Sequence, residues 1–150
     1  MPLPKEKAAL AFALIRRAEA AVEDYEEARS LLSTLVAEGR SISLYFRCLR
    51  RLESVVAMLY QSLDLGRRAL KTKLFAQGDG SPYERLNLIY NNARHSDPET
   101  LPSGQLHSVW IRNDGLFTEG ASLTFDELRD LVCQISRIAD KLAKGEKPPD

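Results

Sequence analysis

Tyr90-Asn91-Asn92-Ala93-Arg94-His95 concentrates hydrogen-bonding side chains at the end of a predicted helix. Such a set can hold a phosphodiester. Arg94 can stabilise the charge of a pentavalent phosphorane, and His95 can exchange a proton with a 2′-hydroxyl or a leaving oxygen near neutral pH. Asn91 completes this candidate catalytic set, with Tyr90 and Asn92 beside it as candidate binding residues. A purely structural role is open as well. Arg94 and His95 complement the negative end of the helix dipole, and the asparagines can cap the helix or bridge to the loop that follows.

Charge is unevenly distributed along the chain. Residues 40–75 hold eight Lys/Arg against two acids, Glu53 and Asp64, for a net of +6. Residues 1–39 carry a net of −2, and residues 76–150 a net of −4. One reading is a basic strip, with Arg47, Arg50 and Arg51 binding phosphates and an affinity that falls steeply with salt. The other is a solvated helix pairing with its acidic predecessor, which carries Glu19, Glu23, Glu26 and Glu27.

Other chemistry finds little support. His95, Asp97 and His107 do not share a helix at ligand spacing, so no metal is expected. Cys48 and Cys133 form no CxxC pair and read as small buried apolar residues in a reducing compartment. The glutamates of the first helix lack the Glu-x-x-His partner of a di-iron set. Neither a phosphate-cradling glycine loop nor a nucleophile motif is present, so no cofactor is expected.

The elements that must position these residues follow from periodicity. A first helix is predicted from about Pro4 to Glu38. Leu10, Leu14, Ala18, Ala21, Tyr25, Ala28, Leu32 and Leu35 form one apolar stripe along it. Gly39 suits its stop. A second helix runs from about Ser41 or Ser43 to Phe75, antiparallel to the first, with Gly66 as a site of close crossing or kinking. Helices this long exceed the usual domain helix, so a break in either is open.

Ser81-Pro82-Tyr83-Glu84 supplies an N-cap, a first-turn proline and a capping-box glutamate for a third helix ending near His95, because Pro98 disfavours helix at Asp97. Asn113-Asp114-Gly115, flanked by Ser108–Arg112 and Leu116–Thr118, reads as a β-hairpin, with Trp110 and Phe117 packed on the helices. Thr124-Phe125-Asp126-Glu127 caps a last helix with Leu128, Leu131, Val132, Ile135, Ile138, Ala139 and Leu142 inward. The expected fold is therefore all-α: an antiparallel four-helix-type bundle with a small β-hairpin inserted before the last helix.

At 150 residues with 44% hydrophobic and 28% charged composition, the chain suits one globular domain. It should bury roughly 68–70% of its unfolded surface. The domain is expected over residues 1–145, with 146–150 a fraying polar tail. The whole chain has zero net charge, so it is no polycation attracted everywhere to nucleic acid. Arg16 and Arg17 interrupt the apolar start, and no cleavage pattern follows it. A cytoplasmic protein without a membrane span is expected.

Helices with a polar segment late in one of them resemble the HEPN superfamily (higher eukaryotes and prokaryotes nucleotide-binding domains), whose motif is Arg-Asn-x-x-x-His. Tyr90 to His95 has that spacing: Asn91 matches the polar second position, His95 matches the histidine, and Tyr90 stands where the arginine would be. Arg94 can replace that arginine in part, although one residue before the histidine it projects about 100° away on a helix. Val109-Trp110-Ile111, Asn113-Asp114-Gly115 and Leu123–Leu128 also resemble uncharacterised bacterial proteins with HEPN-like helices. The resemblance implies an RNA-associated protein of a toxin–antitoxin or defence system, including metal-independent ribonucleases, and a homodimer whose motifs face each other. The alternative it implies is a non-catalytic dimeric module that binds a protein partner.

Overall fold

The computed structural model describes residues 5–39, 41–70, 73, 76–94 and 109–145. Helix α1 (Lys5–Glu38) and helix α2 (Ile42–Leu70) form a long antiparallel hairpin. Both are continuous, so neither carries the break their length suggested. Leu14, Ala18, Ala21 and Ala28 of α1 are buried with Cys48, Leu52, Val55, Val56 and Leu59 of α2. Three alanines on this seam leave room for close helix approach. At the turn, Gly39 has φ +81°, the left-handed conformation that favours glycine after a helix C-terminus. Its N–H donates to the Leu35 carbonyl at 2.9 Å. Ser41 then caps α2, its Oγ accepting from the Leu44 N–H at 3.1 Å.

Gly66 marks neither a kink nor a tight crossing. A Cβ built there would lie 3.8 Å from Leu14 Cδ1, an ordinary van der Waals separation. The expected stretch of α2 beyond Leu70 falls mostly outside the described residues.

Helix α3 (Pro82–Arg94) starts where the cap signal put it, though the cap is wired differently. Ser81 Oγ accepts from the Glu84 N–H at 3.3 Å, which is the expected half of a capping box. The Glu84 carboxylate instead accepts from the N–H groups of Gly78 and Gly80, and Asp79 Oδ1 accepts from Ser81 N–H at 2.8 Å. The preceding turn, with positive φ at Gly78 and Gly80, brings those donors to Glu84 before Ser81 can reach it. The same Asp79 contacts hold its carboxyl below the usual carboxylate range.

The β structure has three strands, not the two of a hairpin: β1 (Trp110–Ile111), β2 (Gly115–Thr118) and β3 (Ala121–Thr124), antiparallel in the order β1-β2-β3. The third strand follows a second turn at Glu119-Gly120, where Gly120 has φ +84°. Register pairs Ile111 with Leu116 and Trp110 with Phe117. Leu116, Thr118, Ala121 and Leu123 are buried. The period of two then turns Trp110 and Phe117 to the other face. Trp110 is 50% exposed, so it does not pack into the core as expected, and Arg112 covers Phe117 at 3.5 Å from the ring centroid.

Helix α4 (Phe125–Ala143) opens with a complete capping box: Thr124 Oγ1 accepts from Glu127 N–H, and Glu127 Oε1 accepts from Thr124 N–H, each at 3.1 Å. Leu128, Leu131, Val132, Ile135 and Ala139 are buried, while Ile138 and Leu142 are only partly so. α4 packs chiefly on α1, and α3 lies against α2 and strand β3. The molecule is thus mostly helical, with a small antiparallel sheet before its last helix.

Candidate functional site

The last turns of α3 divide their polar residues between two jobs. Asn92 faces the sheet, where its Nδ2 donates to the buried Thr118 Oγ1 at 3.0 Å. This contact fixes the end of α3 on β2 and is structural. Tyr90 and Arg94, four residues apart on one helix face, turn towards α2. The Tyr90 ring stacks on Tyr60 with centroids 4.5 Å apart and planes at 17°. The Arg94 guanidinium lies 5.2 Å from the Tyr90 centroid, within cation–π range. Asn91 is half-buried beside them and does not line the cleft described next. His95 lies outside the described residues, as do Asp97 and His107.

The tyrosine pair and Arg94 form one wall of an open cleft of about 570 Å³, within the size range of small-ligand sites. The opposite walls come from α1 and from the last turns of α2. Arg17 of α1 donates through Nε to Gln61 Oε1 at 2.9 Å and through a terminal nitrogen to the Ala13 carbonyl at 3.2 Å. Both acceptors are neutral, so the guanidinium is held in place with its charge uncompensated by them. Arg67 and Arg68 each reach one oxygen of Asp64 at 3.0 Å. Among the described residues, the guanidiniums of Arg17, Arg67, Arg68 and Arg94 line the cleft together with the Asp64 carboxylate.

Two of the cleft residues, Tyr90 and Arg94, belong to the cluster that the sequence singled out. Arg47, Arg50 and Arg51 do not line it. Arg50 stands 17 positions before Arg67 on a continuous helix, an axial separation of about 25 Å. Arg51 is bound to Asp24 at 3.1 Å and Glu27 at 3.0 Å, the pairing with the acidic first helix that was the alternative reading of the basic strip. Ser54 joins this network by donating to Asp24 Oδ2. Arg47 and Arg50 are exposed.

Arg17, Tyr60, Gln61, Asp64, Arg67 and Arg68 are not singled out as site residues by the sequence, although Arg67 and Arg68 count in its basic strip. One signal was available: Tyr60, Asp64, Arg67 and Arg68 recur at helical spacing on one face of the second helix. Arg17 carried no such pattern, because only the α1–α2 register brings it opposite Gln61.

Among the described residues, no group of three or more His, Cys, Asp or Glu could hold a metal ion, and no helix is long and apolar enough to cross a membrane. Burial raises the Glu53 carboxyl and the Cys48 thiol above their ordinary pKa values. Cys48 is buried as expected, its Sγ turned to the Ala28 carbonyl at 3.6 Å, whereas Cys133 on α4 is exposed. No family model matches the chain, and comparison with curated proteins and with solved structures finds no match.

Proposed function

We propose that this chain is a HEPN-like, RNA-associated protein that seats single-stranded RNA in the cleft between α1, α2 and α3. The observation that carries the reading is the convergence of Arg17, Arg67, Arg68 and Arg94 on the stacked Tyr60–Tyr90 pair. Guanidiniums neutralise phosphates, while aromatic rings and guanidinium planes offer stacking surfaces to unpaired bases. Pairing with the acidic first helix accounts for Arg51, whereas Arg17, Arg67, Arg68 and Arg94 line one cleft beside two stacked aromatic rings. The reading places the protein in a toxin or defence system, as the motif resemblance implies, with a four-helix-type bundle and a homodimer as its architecture. In its ribonuclease form, His95 moves the proton, Arg94 stabilises phosphorane charge and Asn91 orients the phosphodiester.

Fluorescence anisotropy with a labelled single-stranded RNA tests the binding claim. Binding should weaken in Arg67→Ala/Arg68→Ala and persist in Arg47→Ala/Arg50→Ala. Equal losses in the two double variants would remove the cleft from the reading. RNA cleavage in EDTA, abolished by His95→Ala, tests the ribonuclease form; undiminished cleavage by that variant would sink it.

A second reading, a module that docks a protein partner, rests on exposed apolar side chains where α2 begins. Ile42 and Phe46 are 75% and 56% exposed, one turn apart. Tyr45, edge-on to Phe46, accepts from the Ile111 N–H at 2.9 Å, which brings half-exposed Trp110 to the same end of the molecule. Light scattering on the chain alone and with a co-expressed neighbouring protein tests this reading. A strict monomer that captures nothing argues against it.

A further inference from the structure

We infer that the cleft takes the phosphorylated end of an RNA strand rather than its middle, and that Asp64 sets this preference. The inference rests on the RNA-binding reading above and narrows it to one substrate class. Three observations carry it.

The first is that the positive surface stops. Going from the cleft towards the α1–α2 turn, no Lys or Arg occurs in residues 18–28 of α1 or in residues 52–66 of α2. That leaves about 17–22 Å of helix without a cation. Exposed Glu19 and Glu23 and half-buried Glu53 occupy the interval, and the basic groups that end it are exposed Arg29 on α1 and Arg51 on α2, the latter committed to Asp24 and Glu27. A polyanion passing through the cleft would run onto this acidic stretch. A strand that ends in the cleft avoids it.

The second is size. A cleft of about 570 Å³ suits a compact terminal group rather than a long strand segment.

The third is the placement of Asp64. Its two oxygens each hold one arginine, Arg67 and Arg68, both at 3.0 Å. An internal phosphodiester carries a single negative charge, the same as Asp64, and gains little by competing for those guanidiniums. A terminal phosphomonoester carries about −1.5 to −2 at neutral pH and three strong acceptor oxygens. It can draw Arg67 and Arg68 away from Asp64 while also meeting Arg17, whose own hydrogen bonds go to neutral oxygens. Asp64 thereby acts as a selectivity residue, matched by a dianion and not by a monoanion.

The test uses the full chain and four otherwise identical ten-nucleotide RNAs: 5′-phosphate and 5′-hydroxyl forms labelled at the 3′ end, and 3′-phosphate and 3′-hydroxyl forms labelled at the 5′ end. Anisotropy should show at least one phosphorylated end binding about tenfold or more tighter than its hydroxyl counterpart, a difference of about 1.4 kcal/mol. The arm that shows it identifies the end. Asp64→Asn should tighten hydroxyl-ended RNA more than phosphorylated RNA and so narrow the ratio. If all four RNAs bind alike, the end preference is wrong while RNA binding stands. If phosphorylated ends are preferred but Asp64→Asn leaves the ratio unchanged, the role given to Asp64 is wrong. If none binds, the RNA-binding reading falls and takes this inference with it.

Discussion

Arg85, near the start of α3, grips Glu127 in the first turn of α4 through both carboxylate oxygens, one of them at 2.8 Å from its terminal nitrogen. The same guanidinium donates to the carbonyls of Gly80 at 3.1 Å and Ser122 at 3.0 Å. One side chain thus ties together the turn before α3, the strand β3 and the cap of α4. Tyr83 adds a neighbouring link through its hydroxyl to Gln134 Oε1 at 2.7 Å. These contacts hold α3 at its N-terminal end, while Asn92 holds its other end on the sheet. The face carrying Tyr90 and Arg94 is set by both.

Glu127 gives the first prediction. The Arg85 guanidinium, helped by the Thr124 N–H, holds its carboxyl down from 4.5 to about 2. The folded pKa is depressed, so the stabilisation is complete above the unfolded carboxylate value and is lost as pH falls from there towards about 2. Glu127→Gln keeps a capping-box side chain but removes the charge, and should cost about 1–2 kcal/mol at pH 7. Urea unfolding across pH would check this. The gap between parent and variant should be flat above about pH 5 and close in acid; a gap independent of pH would contradict the assignment.

Gly115 gives the second. The Asn-Asp-Gly signal correctly marks the β1–β2 turn, but Gly115 is not among the glycines with positive φ. Its requirement is one of contact: a Cβ there would lie 2.0 Å from the Leu123 carbonyl oxygen and 2.7 Å from Thr124 Cα. Both are backbone atoms of the paired strand and cannot rotate away. Gly115→Ala should cost about 2–4 kcal/mol by forcing β2 and β3 apart next to the α4 cap. Denaturation followed by far-UV circular dichroism measures the loss. Trp110 fluorescence, from the chain's one tryptophan, reports the sheet separately. An unchanged midpoint would show that the strands separate at no cost.

Gly66 is the opposite case. It lies within α2, where its backbone freedom is lost on folding, and a methyl group would meet only Leu14 Cδ1 at 3.8 Å. Gly66→Ala should stabilise the protein by about 0.8–1 kcal/mol. A lower melting temperature in the variant would mean that this turn of α2 needs its glycine for a reason other than space.

These glycines show what could be read from residues alone. Helix boundaries follow from stripe spacing and caps, so α3 and α4 start within a residue of their expected positions. Local chemistry also locates the β1–β2 turn through Asn-Asp-Gly, whereas the weaker Glu119-Gly120 signal does not mark the β2–β3 turn. Interhelical geometry was beyond that kind of inference. Nothing along α1 distinguishes Arg17 from Arg16; only the register of α1 on α2 sets Arg17 against Gln61 and leaves Arg16 exposed. Arg51 likewise does not differ from its neighbour Arg50 in type or local pattern; Asp24 and Glu27 across the seam set it apart. The third helix held Tyr90 and Arg94 in view, but the partner ring, Tyr60, sits thirty positions away on another helix.

The cleft supplies the last prediction, because counterion release separates phosphate contacts from general destabilisation. For single-stranded nucleic acid, the logarithm of the binding constant falls with the logarithm of salt with a slope of about −0.7 per phosphate neutralised. Removing a guanidinium that contacts a phosphate should therefore flatten the slope by about 0.7, whatever it does to affinity at one salt concentration. Arg17→Ala and Arg68→Ala should each flatten it, whereas Arg50→Ala, on the far part of α2, should leave it unchanged. Tyr60→Leu should behave differently again, losing affinity at every salt concentration with the slope intact, since a base stacked on an aromatic ring releases no counterion. Titrations at four or five salt concentrations separate the three patterns. A flattened slope in Arg50→Ala, or an unchanged one in both cleft variants, would move the phosphate contacts out of the cleft.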